Sequence, residues 1–338
     1  MAEASAMARE TAEIPAAAQR QLARSEALQH AVQRIRALAP RVMVFCGRGS
    51  SGQVGVLLRY LFEARLGMLV AAAAPSLVTA YDARPDMRGA LFIVISQSGR
   101  SPDLLAATTR ARQSGALTLA IVNDASAPVP QAAEIVLPIE AGPERSVAAT
   151  KSVVLSLLMG ARLVTTLADD LNLADAISRL PARFAAALAC DWSPWTDALA
   201  AAPAAFVTAR GYALAAAREI ALKLTEVLRL PSLAYSAAEL RHGPRAAVTA
   251  KTPVLVLRPD DETAASVDEL VCDLRGSGAN LFVAGGAHAT LPWICADHPV
   301  CDSIAMLLPA YRAIESAAHR LGLDPDHPPH LAKVTQTL

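Results

Sequence analysis

The sequence predicts an α/β fold: two tandem doubly wound, flavodoxin-like parallel sheets, each in α-β-α layers. Three observations carry this expectation. In the first half, apolar runs of strand length (residues 42–45, 68–74, 91–95, 117–122 and 135–139) alternate with helical patterns. The second half then repeats the first. Residues 206–224, with Arg210-Gly211, align with residues 44–62, with Arg48-Gly49, at an offset of 162, and Gly278-Ala279 aligns with Gly115-Ala116 at 163. Finally, 338 residues exceed one ordinary domain and suit two.

Hydrophobic residues make up 53% of the chain, enough apolar material for two cores. Thirty-one basic residues balance 31 acidic ones, so net charge gives no argument for a nucleic-acid or anionic-membrane partner. Glu3, Arg9, Glu10 and Glu13 interrupt the N-terminus, and no apolar signal region follows. No stretch reaches the roughly 20 apolar residues of a membrane span. Five scattered cysteines, an odd number, fit reduced thiols. The expected location is the cytoplasm.

Residues 1–30 read as a loose arm, ending near Pro15, and the start of a helix over 17–39 that Pro40 stops. Residues 31–175 are expected to form the first domain and 195–338 the second, joined by a helical connector with Pro181 inside and Pro194 at its boundary.

Two loops in the first domain stand out; the serine-rich one suits a phosphate ester, and in the other the glycines mean that the backbone approaches a ligand or turns tightly. After the buried run 91–95 the chain turns polar at Ser96-Gln97-Ser98-Gly99. Ser101 then takes an N-cap position, Pro102 takes N1 and Asp103 falls in the first turn. A strand, a hydroxyl-rich loop and a helix N-terminus supply N–H groups, a favourable dipole and neutral donors. The plain alternative is an ordinary βα turn. The other loop is Gly47-Arg48-Gly49-Ser50, where Gly47, Gly49 and Gly52 satisfy G-x-G-x-x-G. A dinucleotide site would need an acidic residue after the next strand, and Pro75-Ser76 stands there instead. In the second domain Pro259-Asp260-Asp261 replaces the serine loop, so only the first should hold phosphate.

In the second half, Glu219, Lys223 and Glu226 share one helix face at i, i+4 and i+7. A solvated charged stripe is the plain alternative. His242 precedes Gly243-Pro244 in a loop, and histidine is a natural group for opening a sugar ring near neutral pH. Lys333, between Ala332 and Val334, is either a solvated charge or an amine led into a pocket. His288, Cys295, His298 and Cys301 match no zinc spacing and read as an edge strand with polar turns.

Taken in order, these motifs resemble the sugar isomerase (SIS) family, and within it the isomerase half of glucosamine-6-phosphate synthase. They are CG-x-x-S from residue 46, SQSG at 96–99, VA-x-TK at 147–151, ALKL-x-E at 221–226, E-L-[KR]-HGP at 239–244, and D-x-D-x-P-x-x-L-x-K-V-T at 324–335. The resemblance implies that Gly47, Ser96, Gln97, Ser98 and Ser101 hold a sugar phosphate, with Arg48, Gly49 and Ser50 in the same loop, and that Val147 and Ala149 line the sugar. It implies Glu226 as the base moving a proton between C1 and C2. His242 would open the ring, Lys223 would assist, and Lys333 would engage the open-chain carbonyl. Arg48-Gly49, Arg100-Ser101 and the ending KVTQTL look more like the stand-alone type II glucosamine-6-phosphate deaminases.

The chain reaches its first sugar domain by about residue 30, without the glutaminase domain a synthase needs. The expected reaction is therefore deamination of glucosamine 6-phosphate to fructose 6-phosphate and ammonia, without metal or organic cofactor. The alternatives are the same chemistry run toward synthesis, action on a related aminosugar or glycated amine, and a non-catalytic sugar-phosphate sensor. The resemblance also implies a homodimer in which His242 completes the neighbouring site.

Overall fold

The computed structural model describes residues 4–333. Val334 and Thr335, which close the tail motif, and residues 336–338 of the KVTQTL ending lie outside the described residues. The chain opens with α1 (Ala6–Ala12), α2 (Ile14–Leu22) and α3 (Glu26–Leu38). There follow β1 (Val42–Cys46), α4 (Ser50–Leu66), β2 (Leu69–Ala72), α5 (Ser76–Thr79), β3 (Ala90–Ser96), α6 (Pro102–Gln113), β4 (Leu117–Val122), α7 (Pro128–Ala132) and β5 (Ile135–Pro138). Next come α8 (Lys151–Leu167), α9 (Leu171–Leu188), α10 (Ser193–Ala200), β6 (Ala205–Ala209), α11 (Leu214–Leu228), β7 (Ser232–Ser236) and α12 (Ala237–Arg241). Last are β8 (Val254–Leu257), α13 (Ala264–Gly276), β9 (Leu281–Ala284), α14 (Pro299–Ala305) and α15 (Leu307–Arg320).

Two compact units result. Residues 16–144 and 151–178, with Ala332 and Lys333, form a five-stranded unit. Residues 4–15, 145–150 and 179–331 form a four-stranded unit.

In the five-stranded unit the order is β2-β1-β3-β4-β5, all parallel. Every residue of β3 and β4 is buried, which is why their sequences are nearly continuous apolar runs, with Thr118 and the terminal Ser96 as the polar members, rather than alternating ones. Helix α8 is buried from Lys151 through Thr165. Its one guanidinium, Arg162, is satisfied by the Gln21 and Arg24 carbonyls.

The four-stranded unit has the order β7-β6-β8-β9, again parallel. It copies the first four strands of the other sheet. The starts of corresponding strands are 163, 163, 164 and 164 residues apart, so the internal repeat read from the sequence is a repeat of fold.

Three local expectations change. The loose arm is helical: α1 is capped by Ser5, whose hydroxyl accepts the Ala8 N–H at 3.0 Å. The helix expected over 17–39 is two helices, α2 and α3, separated at residues 23–25. The expected edge strand around the Cys/His group does not form. Cys301 is buried in α14, which His298 caps through Nδ1, and only an isolated Ala284–Leu291 bridge lies nearby. Among the described residues no group of three His, Cys, Asp or Glu side chains is placed to hold a metal ion, and no helix is long and apolar enough to cross a membrane.

Candidate active site

In the five-stranded unit, β1 and β3 are neighbours in register, Cys46 opposite Val94, so the loops that leave them run side by side. Each loop feeds a helix, α4 or α6. The backbone of the first is tightly drawn: a Cβ at Gly47 would meet the Ser51 carbonyl oxygen at 2.8 Å, and Gly49 has φ +51°. In the second, Gly99 has φ +63°, and a Cβ there would strike Ala127 at 2.7 Å.

Ser96 Oγ accepts the Gly99 N–H at 3.0 Å and Ser98 Oγ accepts the Arg100 N–H at 3.3 Å, which shapes the serine loop. Ser101 is the N-cap of α6 and Pro102 its first residue, as the sequence predicts, but the Ser101 hydroxyl makes no capping bond. Gln97, Ser98 and Ser101 are half-buried, as are Gly47 and Ser50, while Arg48 and Gly49 are exposed.

Two arginines border the loops. Arg48 pairs with the buried Asp103 at 3.1 Å, and Arg100 with Asp124 at 2.8 Å. Burial, with the charge of Asp103 next, pushes the Cys46 thiol up to about 12, so this cysteine is no nucleophile. The arrangement offers two helix N-termini, hydroxyls and guanidinium groups to a dianion.

The matching place in the four-stranded unit is already filled. Arg258 pairs with Asp260 and, at 2.6 Å, with Asp268, and Asp261 accepts the Thr263 N–H at 2.8 Å. Carboxylates there would repel a phosphate.

The same unit buries Glu219 and Lys223 of α11. Lys223 is 1% exposed; it pairs with Glu219 at 3.4 Å and, more closely, with Glu226. The solvated stripe is thus excluded. Burial lowers the Lys223 pKa, but the two carboxylates outweigh it and hold the ammonium above its ordinary value. Tyr311 of α15 donates to Glu219 at 3.3 Å. Glu226 alone of the three reaches the surface, with its side chain 22% exposed.

His242 closes α12, a short helix fixed by a Ser236–Glu239 capping box. It is exposed, and it shares no hydrogen bond or ion pair with Lys223 or Glu226. Val147 and Ala149 are half-buried, and the Val147 N–H is held by the Asp326 carbonyl at 3.1 Å.

Lys333 is not simply solvated. Its Nζ lies 3.0 Å from Glu144 Oε2, and its side chain is 23% exposed. Burial raises the Glu144 pKa, but the Lys333 charge and two hydrogen bonds from Ser152 outweigh it, holding the carboxyl below its ordinary value. Sequence reasoning missed Glu144 and Tyr311. Glu144 is 189 residues from its lysine, and no local pattern connects them.

The sequence profile of the SIS domain matches residues 39–166 and 198–284. The chain is 32% identical over 312 residues to the glutamine–fructose-6-phosphate aminotransferase (isomerizing) of Bradyrhizobium diazoefficiens, covering 84% of this chain and 50% of that protein. It is 34% identical over 304 residues to the corresponding protein of Methanothermobacter thermautotrophicus, covering 86% and 50%. The chain spans about half the length of the curated relatives it matches. Among solved structures, a candidate phosphosugar isomerase from Silicibacter pomeroyi superposes with a TM-score of 0.91 at 36% identity, covering 96% of this chain and 100% of that one. The C-terminal domain of glucosamine-fructose-6-phosphate aminotransferase from Francisella tularensis gives 0.88 at 21% identity, covering 96% and 99%, a likeness of fold.

Proposed function

The chain belongs to the SIS domain family, and from that premise we propose that it converts glucosamine 6-phosphate and water to fructose 6-phosphate and ammonia. The observation that carries the reading is the Glu219–Lys223–Glu226 group. A buried ammonium holds two carboxylates, and the one with an open face is Glu226. Moving a proton between adjacent carbons needs one carboxylate that can face both atoms.

In this reading the loops after β1 and β3 hold the phosphate, with Val147 and Ala149 along the sugar. His242 takes a proton from the C1 hydroxyl and returns one to the ring oxygen, opening the ring. The Lys333 ammonium donates to the C1 carbonyl oxygen as charge develops there. Glu226 removes the C2 proton and delivers it to C1, while O1 gains a proton and the C2 nitrogen gives one up, leaving a ketose imine at C2. Water adds to that imine, ammonia departs, and fructose 6-phosphate remains. The protein acts as a homodimer in which His242 completes the neighbouring site.

The aminotransferase relatives favour a second reading, the same proton transfer run toward amination. One assay separates the two. Ammonia and hexose phosphate are measured on a panel of phosphorylated aminosugars and glycated amines, beside fructose 6-phosphate with ammonia or glutamine. Ammonia release from glucosamine 6-phosphate supports the proposal. Turnover only in the amination direction, or only with another amine, would overturn it.

A further inference from the structure

Helix α1, at the opposite end of the sequence from the tail, is fastened to it. The Asp326 carboxylate accepts the N–H groups of Ala6 at 2.6 Å and Met7 at 2.8 Å, in the first turn of α1. Ser5 caps that turn and donates to Glu315 of α15 at 2.7 Å. One turn on stands Glu10. It is 5% exposed, and its carboxylate accepts the Arg145 N–H closely and the Ser146 N–H at 3.3 Å. The next residue, Val147, gives its N–H to the carbonyl of that same Asp326 at 3.1 Å. Three consecutive N–H groups, those of residues 145–147, are therefore fixed by Glu10 and Asp326, and Asp326 is itself held by α1.

This arrangement has little value to a core. It buries a carboxylate against irregular backbone, at a cost offset only by the N–H groups it accepts, so the burial and the fixed backbone come together. What it holds is the segment carrying Val147 and Ala149, and a tail point seven positions before Lys333. We propose that Glu10 and Asp326 form a clasp that positions the 145–149 segment and the C-terminal tail for the reaction, so that the N-terminal helix is part of the catalytic apparatus without touching substrate. The inference rests on the aminosugar-phosphate reading for the substrate, and not for the clasp.

The test uses the full chain with Glu10→Ala, Glu10→Gln, Asp326→Ala and Asp326→Asn. A positioning role predicts that each Ala variant lowers kcat by about tenfold to a hundredfold. Affinity for sorbitol 6-phosphate, an open-chain polyol that cannot react, should change by less than about threefold, because its phosphate is held elsewhere. Glu10→Gln and Asp326→Asn keep one acceptor oxygen and should recover part of the lost kcat. If an Ala variant does not fold, these amide variants decide by the same split. Unchanged kcat, or kcat and polyol affinity falling together, would overturn the proposal. Amide exchange at Ser146 and Val147 gives a readout that needs no turnover: it should quicken in Glu10→Ala, and unchanged exchange would sink the clasp. A wild-type chain inactive on every substrate would instead refute the deaminase reading, leaving exchange to judge the clasp.

Discussion

The ammonium of Lys333 stands 3.0 Å from Oε2 of Glu144, a buried carboxylate that also accepts the N–H and hydroxyl of Ser152. This contact fixes the tail lysine by charge and hydrogen bonding at once. Removing the chain from Leu331 onward should abolish turnover while the rest stays folded. Circular dichroism and a sugar-phosphate binding assay check the fold. Retained turnover would show that Lys333 has no part in the chemistry.

The same pair sets a pH dependence. The Glu144 carboxyl is held below its ordinary value, so its pairing stabilises the folded chain fully above the unfolded carboxylate range. That contribution is lost as pH falls through the lower, folded value. Glu144→Gln should cost roughly 1.5–3 kcal/mol at neutral pH. Urea unfolding across pH 7 to 3 should show the gap between wild type and variant narrowing on the acid side. A gap that widens there would contradict the assignment.

Glu226→Gln should lower kcat by about 10²–10⁴ with little change in ligand affinity. Near-normal turnover would move the base elsewhere, with Glu239 the next carboxylate to test.

Lys223 has a structural duty as well as a chemical one. Lys223→Met leaves Glu219 buried beside Tyr311 without its cation, which should destabilise the fold by about 3–5 kcal/mol. Adding Glu219→Gln should restore much of that loss, because the uncompensated charge is then gone. Thermal unfolding of both variants checks this, and an equally unstable double variant would argue that the lysine acts through packing alone.

Complementation tests the proposed dimer. Glu226→Gln and His242→Ala chains, each inactive, are mixed after mild dissociation. Half the dimers should be hybrids, each with one intact site, so activity should return to about a quarter of wild type. If mass spectrometry finds hybrids and activity stays absent, His242 does not act across the interface.

What the sequence determined by itself was the local and the repeated. The serine loop after β3, with Ser101 and Pro102 opening α6, was legible because strand end, loop and cap are neighbours in the chain. The second sheet was legible because its strands recur at a nearly constant offset. The tertiary structure alone decided the rest. Whether Glu219, Lys223 and Glu226 were a wet stripe or a buried group depended on α15 packing over α11, which helical spacing does not encode. Glu144 found Lys333, and Glu10 found the 145–146 backbone, across more than a hundred residues of chain. Burial and charge pairing at such range follow from how the whole chain closes on itself, and no window of sequence contains both partners.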